Sequence, residues 1–413
     1  MLNTPFSTWP SFTEEEARAV QRVLLSNKVN YWTGSECREF EREFAAWCGT
    51  RYAIALANGT LALDLALKGL GICPGDEVVV TPRTFVASVS CIVNAGAKPV
   101  FADVEPDSGN ISKRTISHVL TPRTKAVICV HLAGWPCDMD PIMALATEYD
   151  LKVIEDCAQA HGARYKGRSV GSIGHVGAWS FCQDKIMTTG GEGGMVTVND
   201  EQLWRDMWAY KDHGKSYAAV YERQHSPGFQ WLHESFGTNW RMLEMQAVIG
   251  RIQLKRMDDW TAQRHANVAY LVNALVPFAT ESGPVRLPHL KCTGCAYGCG
   301  KGGVQTCADG CISGSYKFYV YVQEQNLAPG WSRDRIIDAI NKEGVPCYQG
   351  TCSEVYLEKA FDDTSWRPDQ RLPTARKLGE TSLMFLVHPT LTSVEMERAC
   401  EVVSKVLSEA GNV

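Results

Sequence analysis

The sequence predicts an α/β fold, with a mostly parallel central sheet flanked by helices and a smaller C-terminal α+β domain. Three observations carry that prediction. Between residues 51 and 200, short Val- and Ile-rich runs alternate with helical patterns, as in a parallel sheet covered on both faces. The chain is 413 residues long, enough for two or three domains and a large core. Its 45% hydrophobic and 21% charged residues are ordinary for a globular chain and set aside disordered and fibrous classes.

The first fifty residues read as an N-terminal arm with one helix (14–25) and a glycine-bearing loop, NYWTGSE. Residues 51–260 form the large domain. Its strand candidates are the apolar runs at 77–82, 98–104, 125–134, 152–158, 176–181 and 194–200. A helix over 60–70 carries Leu61, Leu65 and Leu67 and is closed by Gly69 and Gly71. Another spans 140–149, with Pro141 in its first turn, where a missing N–H costs nothing. Residues 239–275 read as one or two long helices leading into the small domain, 261–413. There KFYVYVQ (317–323) reads as a strand and 333–344 as a helix ended by Gly344.

Lys and Arg total 41 against 46 Asp and Glu, a net charge of −5, which argues against a nucleic-acid binder. No apolar run approaches the length of a membrane span, and the start, MLNTPFSTWPSFTEEE, lacks the pattern of a signal peptide. Cys91, Cys129, Cys157 and Cys182 stand singly in core-like segments, as reduced thiols do. A cytoplasmic location is expected.

Three segments carry chemistry. In SFCQDKIMTTGGEGGMVTVND (180–200), Lys185 follows an apolar strand and precedes a glycine-rich turn. A lysine desolvated there can attack a carbonyl, although a surface lysine beside a hairpin has the same pattern. In VIEDCAQAHGA (153–163), Glu155 and Asp156 end a strand, where open α/β sheets place ligands. One of the pair should face the site; a carboxylate against a pyridine nitrogen keeps that ring protonated, and a helix-capping acid is the alternative. In LANGTLALDLAL (56–67), Asn58, Gly59 and Thr60 open a helix, which suits an anion or an ordinary Asn58 N-cap.

Taken in order, these segments resemble the DegT/DnrJ/EryC1/StrS family of pyridoxal-phosphate-dependent sugar aminotransferases of fold type I. The resemblance extends through AGAKPVFADVEPD (95–107), TPRTKAVICVHLAGWPCDMDPIMALA (121–146), KDHGKS (211–216) and GTNWRMLEMQAVIGRIQL (237–254). It implies that Lys185 holds the cofactor covalently and that Asp156 pairs with the pyridine nitrogen. Gln159 would bond the ring's phenolic oxygen and Phe85 would stack on the ring. Gly59, Thr60 and Ser180 would bind the phosphate. Asn239 would reach the neighbouring subunit's cofactor, which makes the enzyme a homodimer with shared active sites. A branch that carries histidine in place of the lysine performs dehydration, and Lys185 sets it aside. The chain departs from the family in NGT at 58–60, where SGT is frequent, and in the additional glycine of TTGGEGG (188–194).

The implied reaction moves an amino group, from glutamate as in the family, to a keto sugar. A nucleotide-linked sugar of polysaccharide, lipopolysaccharide or antibiotic biosynthesis is the first expectation. The alternatives are a free keto-cyclitol, suggested by the Cys-Gln pair before Lys185, and a non-catalytic regulator that binds the cofactor or a metal. Arg83, His213 and Arg241 are substrate candidates, with surface or inter-subunit ion pairs as the equal alternative. Tyr31, Thr33 and Trp135 complete the substrate set, Trp135 being equally readable as a buried structural indole.

Residues 292–311, CTGCAYGCGKGGVQTCADGC, carry Cys292, Cys295, Cys299, Cys307 and Cys311 among six glycines. The family resemblance does not explain this insert. A structural zinc on Cys292, Cys295, Cys307 and Cys311 and a glycine-rich insertion that binds nothing are equal readings. An iron–sulfur cluster is a further option, although the spacing matches no common signature.

Overall fold

A computed structural model describes residues 6–224, 230–288, 306 and 310–411. Cys292, Cys295, Cys299 and Cys307 of the insert lie outside the described residues. In chain order the strands are β1 (Tyr52–Leu56), β2 (Glu77–Val80), β3 (Lys98–Phe101), β4 (Thr124–Val130), β5 (Lys152–Asp156), β6 (Arg164–Tyr165), β7 (Arg168–Ser169), β8 (Val176–Ser180), β9 (Gly194–Val198), β10 (Val285–Arg286), β11 (Phe318–Val322), β12 (Cys347–Tyr348) and β13 (Ser382–Phe385).

Seven of them form the large sheet, in the order β1-β9-β8-β5-β4-β2-β3. The neighbours from β3 to β8 pair in parallel. β9 runs antiparallel to both β8 and β1. Every residue of β2, β8 and β9 is buried, which explains continuous apolar runs without polar alternation.

Alternation along each strand divides the core between two faces. Val78, Val80, Ile128 and Ile154 pack on one face, with the helix Gly59–Gly69 and the aromatic residues Phe40, Phe44, Trp179 and Phe181. Val79, Val127, Cys129 and Val153 pack on the other, with the helix Met139–Tyr149.

The arm contains a second helix, Glu36–Cys48, beyond the one read from the sequence. Phe40 and Phe44, four residues apart on one face, are fully buried against the large sheet, so this helix belongs to its core. The first helix, Glu14–Leu25, packs Ala19 and Val23 on Val248 and Ile252.

The linking segment folds as two helices, Glu244–Leu254 and Met257–Leu275. The small domain is an antiparallel sheet, β10-β11-β13-β12, packed against the helices Met257–Leu275 and Ser393–Ala410. The helix expected over 333–344 spans Arg333–Lys342, and Gly344 follows at φ 83°. Among the described residues, no helix is long and apolar enough to cross a membrane.

Candidate active site

The carboxyl ends of β1, β5 and β8 converge on a cleft of about 670 Å³, lined among others by Gly59, Thr60, Phe85, Asp156, Gln159, Ser180 and Lys185. Each wall follows from local structure. Asn58 caps the helix Gly59–Gly69, its Oδ1 accepting the Leu61 amide at 3.0 Å. The first amides of that helix, those of Gly59 and Thr60, have no carbonyl a turn earlier to bond and open toward the cleft. Glycine is required at 59 because a Cβ there would lie 2.5 Å from Ser180 Cβ. That close approach places the helix start beside the Ser180 hydroxyl.

Strand alternation separates the two acids of β5. Asp156 shares the face of Ile154 and reaches the cleft floor. Its Oδ2 accepts from Ser88 Oγ at 2.8 Å and its Oδ1 from the Ala158 amide at 3.1 Å. Burial pushes its carboxyl above the ordinary range, against the pull of those two donors. Asp156 forms no ion pair with any described residue.

Glu155 points to the opposite face. It accepts the amides of Gly171, Ile173 and Gly174 at 2.9, 2.8 and 2.6 Å and bonds His131 Nε2 at 3.0 Å. Burial works against its ionisation, but His131 and the amides outweigh it and hold Glu155 below the usual range. His131, Glu155 and Cys157 bring ligand atoms within 4.8 Å of one another. They are already committed, however: His131 Nδ1 accepts the Cys137 amide at 3.0 Å, so its Nε2 carries the proton and donates to Glu155. This cluster is a hydrogen-bonded hub.

Lys185 lies on the connection between β8 and β9. Its side chain is 17% exposed, and its Nζ stands 3.7 Å from Asp184 Oδ1 and 5.3 Å from the centre of the Tyr316 ring. The Tyr316 hydroxyl donates to Asp184 Oδ2. Burial opposes ionisation of Asp184, yet the Lys185 ammonium and the Tyr316 hydroxyl keep its pKa below the usual range. The added glycine of TTGGEGG has a conformational role: Gly190 and Gly191 take φ 87° and 119°, values that side chains rarely adopt. The Gly191 amide closes the turn on Thr188 Oγ1 at 3.2 Å.

The cleft fits pyridoxal phosphate on its own chemistry. An unpaired buried carboxylate forms the floor and helix amides with a hydroxyl form one end. Phe85, 66% exposed, offers an aromatic face, and a lysine stands alongside. A family model describing DegT/DnrJ/EryC1/StrS aminotransferases matches residues 10–404. The chain belongs to the DegT/DnrJ/EryC1/StrS aminotransferase family.

Within this family the GDP-perosamine synthase of Caulobacter vibrioides is 35% identical over 373 residues, 89% of each chain. The dTDP-3-amino-3,6-dideoxy-alpha-D-galactopyranose transaminase of Aneurinibacillus thermoaerophilus is 31% identical over 397 residues, 95% of this chain and 96% of its own. The solved aminotransferase of Psychrobacter cryohalolentis is 65% identical, with a TM-score of 0.93 over 98% of this chain and 99% of that one. The chain is thus a fold type I transaminase, and pyridoxal phosphate is its cofactor.

Other residues singled out in the sequence lie elsewhere in the single chain. Tyr31 is buried, its hydroxyl donating to Glu41 Oε2 and accepting from Trp208 Nε1, both at 3.0 Å. Thr33 sits in an exposed turn on Asn30. Arg83 is fully buried beside the rings of Tyr319 and Tyr321, with Nη1 3.2 Å from Ser353 Oγ. Arg241 pairs with Asp212 at 2.6 Å. His213 and Asn239 are exposed on neighbouring segments. None of these six lines the Lys185 cleft. Trp135 lines a narrow cavity with Lys317 and Ala133, the residue whose amide bonds Gln159 on the wall of the Lys185 cleft. Cys311, from the insert, is buried and its Sγ accepts the Lys166 amide at 3.4 Å.

The sequence reading passed over Trp9, Asp184, Tyr316 and Lys317. Tyr316 and Lys317 adjoin an apolar strand that reads as core, and no local signal shows that this end of it faces Lys185.

Proposed function

We propose that this transaminase moves the amino group of glutamate to a nucleotide-linked keto sugar. The observation that carries the reading is the convergence of Lys185, Asp156 and the Gly59–Thr60 helix start on one cleft. The names of relatives matched over most of both chains support the sugar assignment.

When bound, pyridoxal phosphate supplies an aldehyde that takes up the amino group and a ring that accepts electrons. The protein does the rest. Lys185 Nζ anchors the cofactor and, once displaced by the donor, moves the proton from the donor's Cα. Asp156 holds the proton on the ring nitrogen. The amides of Gly59 and Thr60 with the Ser180 hydroxyl bind the phosphate dianion at a helix N-terminus. Gln159 Oε1 already accepts the Ala133 amide at 2.8 Å, so its Nε2 is left to donate to the phenolic oxygen. Phe85 covers the ring and keeps water from it.

Asn239, exposed and outside its own cleft, is assigned to the cleft of a second copy, together with His213 and Arg241. Mixing Lys185→Ala and Asn239→Ala chains then restores about a quarter of wild-type turnover, because half the dimers are mixed and each has one intact site. No restoration would refute the shared site. Cys91, Cys129, Cys157 and Cys182 carry free thiols, which supports a reducing, cytoplasmic setting.

The test is direct. Glutamate should bleach the visible band of the loaded enzyme, and a nucleotide-linked keto sugar should restore it. Restoration by free keto-cyclitols alone would overturn the substrate assignment.

A further inference from the structure

The surroundings of Lys185 on the small-domain side are too positive for their own residues. Lys185 and Lys317 face one carboxylate, Asp184, and Arg264 adds its charge beside Lys317. Lys317 Nζ lies 4.8 Å from the centre of the Tyr316 ring, on which Lys185 Nζ also rests at 5.3 Å. Lys317 forms no ion pair with any described residue. Arg264 is 1% exposed and its Nε and Nη2 have no hydrogen-bond partner. Its Nη1 is 3.5 Å from the carbonyls of Ser315 and Tyr316. Lys317 is half-buried, and an uncompensated buried cation such as Arg264 is costly unless an anion joins it.

We propose that Lys317, backed by the buried Arg264, is the subsite that receives the α-carboxylate of the amino donor. The inference rests on the transaminase reading above and names the group that recognises the donor. The carboxylate carbon is bonded directly to the carbon whose proton Lys185 moves, about 1.5 Å away. The group that binds it must therefore adjoin Lys185, as Lys317 does across Tyr316. Size argues for a carboxylate over a sugar diphosphate. Lys317 lines a cavity of only about 40 Å³ with Ser313 and Ser315. The one acid on that cavity's wall, Asp107, is turned to Arg286 at 3.5 Å.

The titration of the cluster agrees. Burial, then the neighbouring positive charges, pushes Lys317 down to about 8, with Asp184 pulling the other way. Burial brings Arg264 down to about 9. His161 and His388 are each held down to about 3 by burial and by these same cations. The groups facing Lys317 are Asp184, Lys185, Arg264, Tyr316 and His388, with Asp107, which pairs with Arg286, on the wall of its cavity.

Glutarate, a dicarboxylate without the amino group, gives a readout that needs no turnover. Calorimetry should show glutarate binding to the wild-type holoenzyme, weakened about tenfold or more in Lys317→Met and recovered in Lys317→Arg. In single half-reactions, KM for glutamate should rise by a like factor in Lys317→Met, with the smaller change on the keto-sugar side. Wild-type glutarate affinity should fall as pH rises through about 8, and the Lys317→Arg variant should lack that fall. Unchanged glutarate affinity in a folded Lys317→Met protein would overturn the proposal, as would a loss confined to nucleoside diphosphate binding. Borohydride marking of Lys185 in each variant keeps the outcomes separate. A missing mark in wild type sinks the transaminase reading, whereas a mark with unchanged glutarate affinity sinks the subsite alone.

Discussion

The indole nitrogen of Trp9 donates to the main-chain carbonyl of Lys185 at 2.7 Å, across 176 residues of sequence. Trp9 also packs edge-on to Trp260 at 5.1 Å and stacks on His388 at 6.2 Å. The N-terminal arm thus fixes the backbone from which the reactive amine projects, between the large and small domains.

Trp9→Phe keeps the ring packing and removes that donor. Stability should fall by about 1 kcal/mol, and kcat should drop while KM for the keto sugar holds. An unchanged kcat would show that the bond does not orient Lys185.

Asp156→Asn separates catalysis from stability. Without a negative floor the ring nitrogen loses its proton, and turnover should fall about 100-fold or more. Burial pushes the Asp156 carboxyl up, so its charge opposes folding of the cofactor-free protein. The variant should melt no lower than wild type when both are stripped of cofactor. A lower melting temperature would contradict this electrostatic account.

Glu155→Gln should do the reverse. The four donors on Glu155 include the amides of residues 171, 173 and 174, which lead into β8. One carboxylate oxygen becomes an NH2 facing donors, at a cost of about 2–4 kcal/mol. Denaturant titration should show the loss, with turnover per loaded enzyme intact.

His161 is buried between the rings of Trp179 and Phe181, and neither of its ring nitrogens has a partner. Burial, then the charges of Lys185 and Arg264, lowers its pKa from 6.5 to about 3. The unfolded chain therefore takes up a proton that the folded chain refuses. The contribution to stability is complete above about pH 6.5 and is lost as pH falls toward about 3. His161→Phe should flatten the stability-against-pH slope in that window by up to about 1.4 kcal/mol per pH unit. An unchanged slope would place a proton on His161 in the folded protein.

Much of this was legible from local pattern. Runs such as 77–82 and 194–200 are apolar because their strands are buried on both faces, and Asp156 is set apart from Glu155 by strand alternation alone. The antiparallel direction of β9 was not legible, because an all-buried strand looks the same in either direction. β1 escaped notice because Ala53 and Ala55 dilute its apolar run. The helix Glu36–Cys48 was hidden among charges, six of its thirteen residues being Glu or Arg. Trp9, Arg264 and Lys317 meet Lys185 only through tertiary packing, which no spacing in the chain records.

The central claim is that Lys185 Nζ holds the cofactor. Borohydride reduction of the holoenzyme followed by peptide mapping should leave a pyridoxyl group on Lys185, and Lys185→Ala should remain folded but inactive and unmarked. A mark on another lysine, or none on folded, cofactor-loaded protein, would contradict the account.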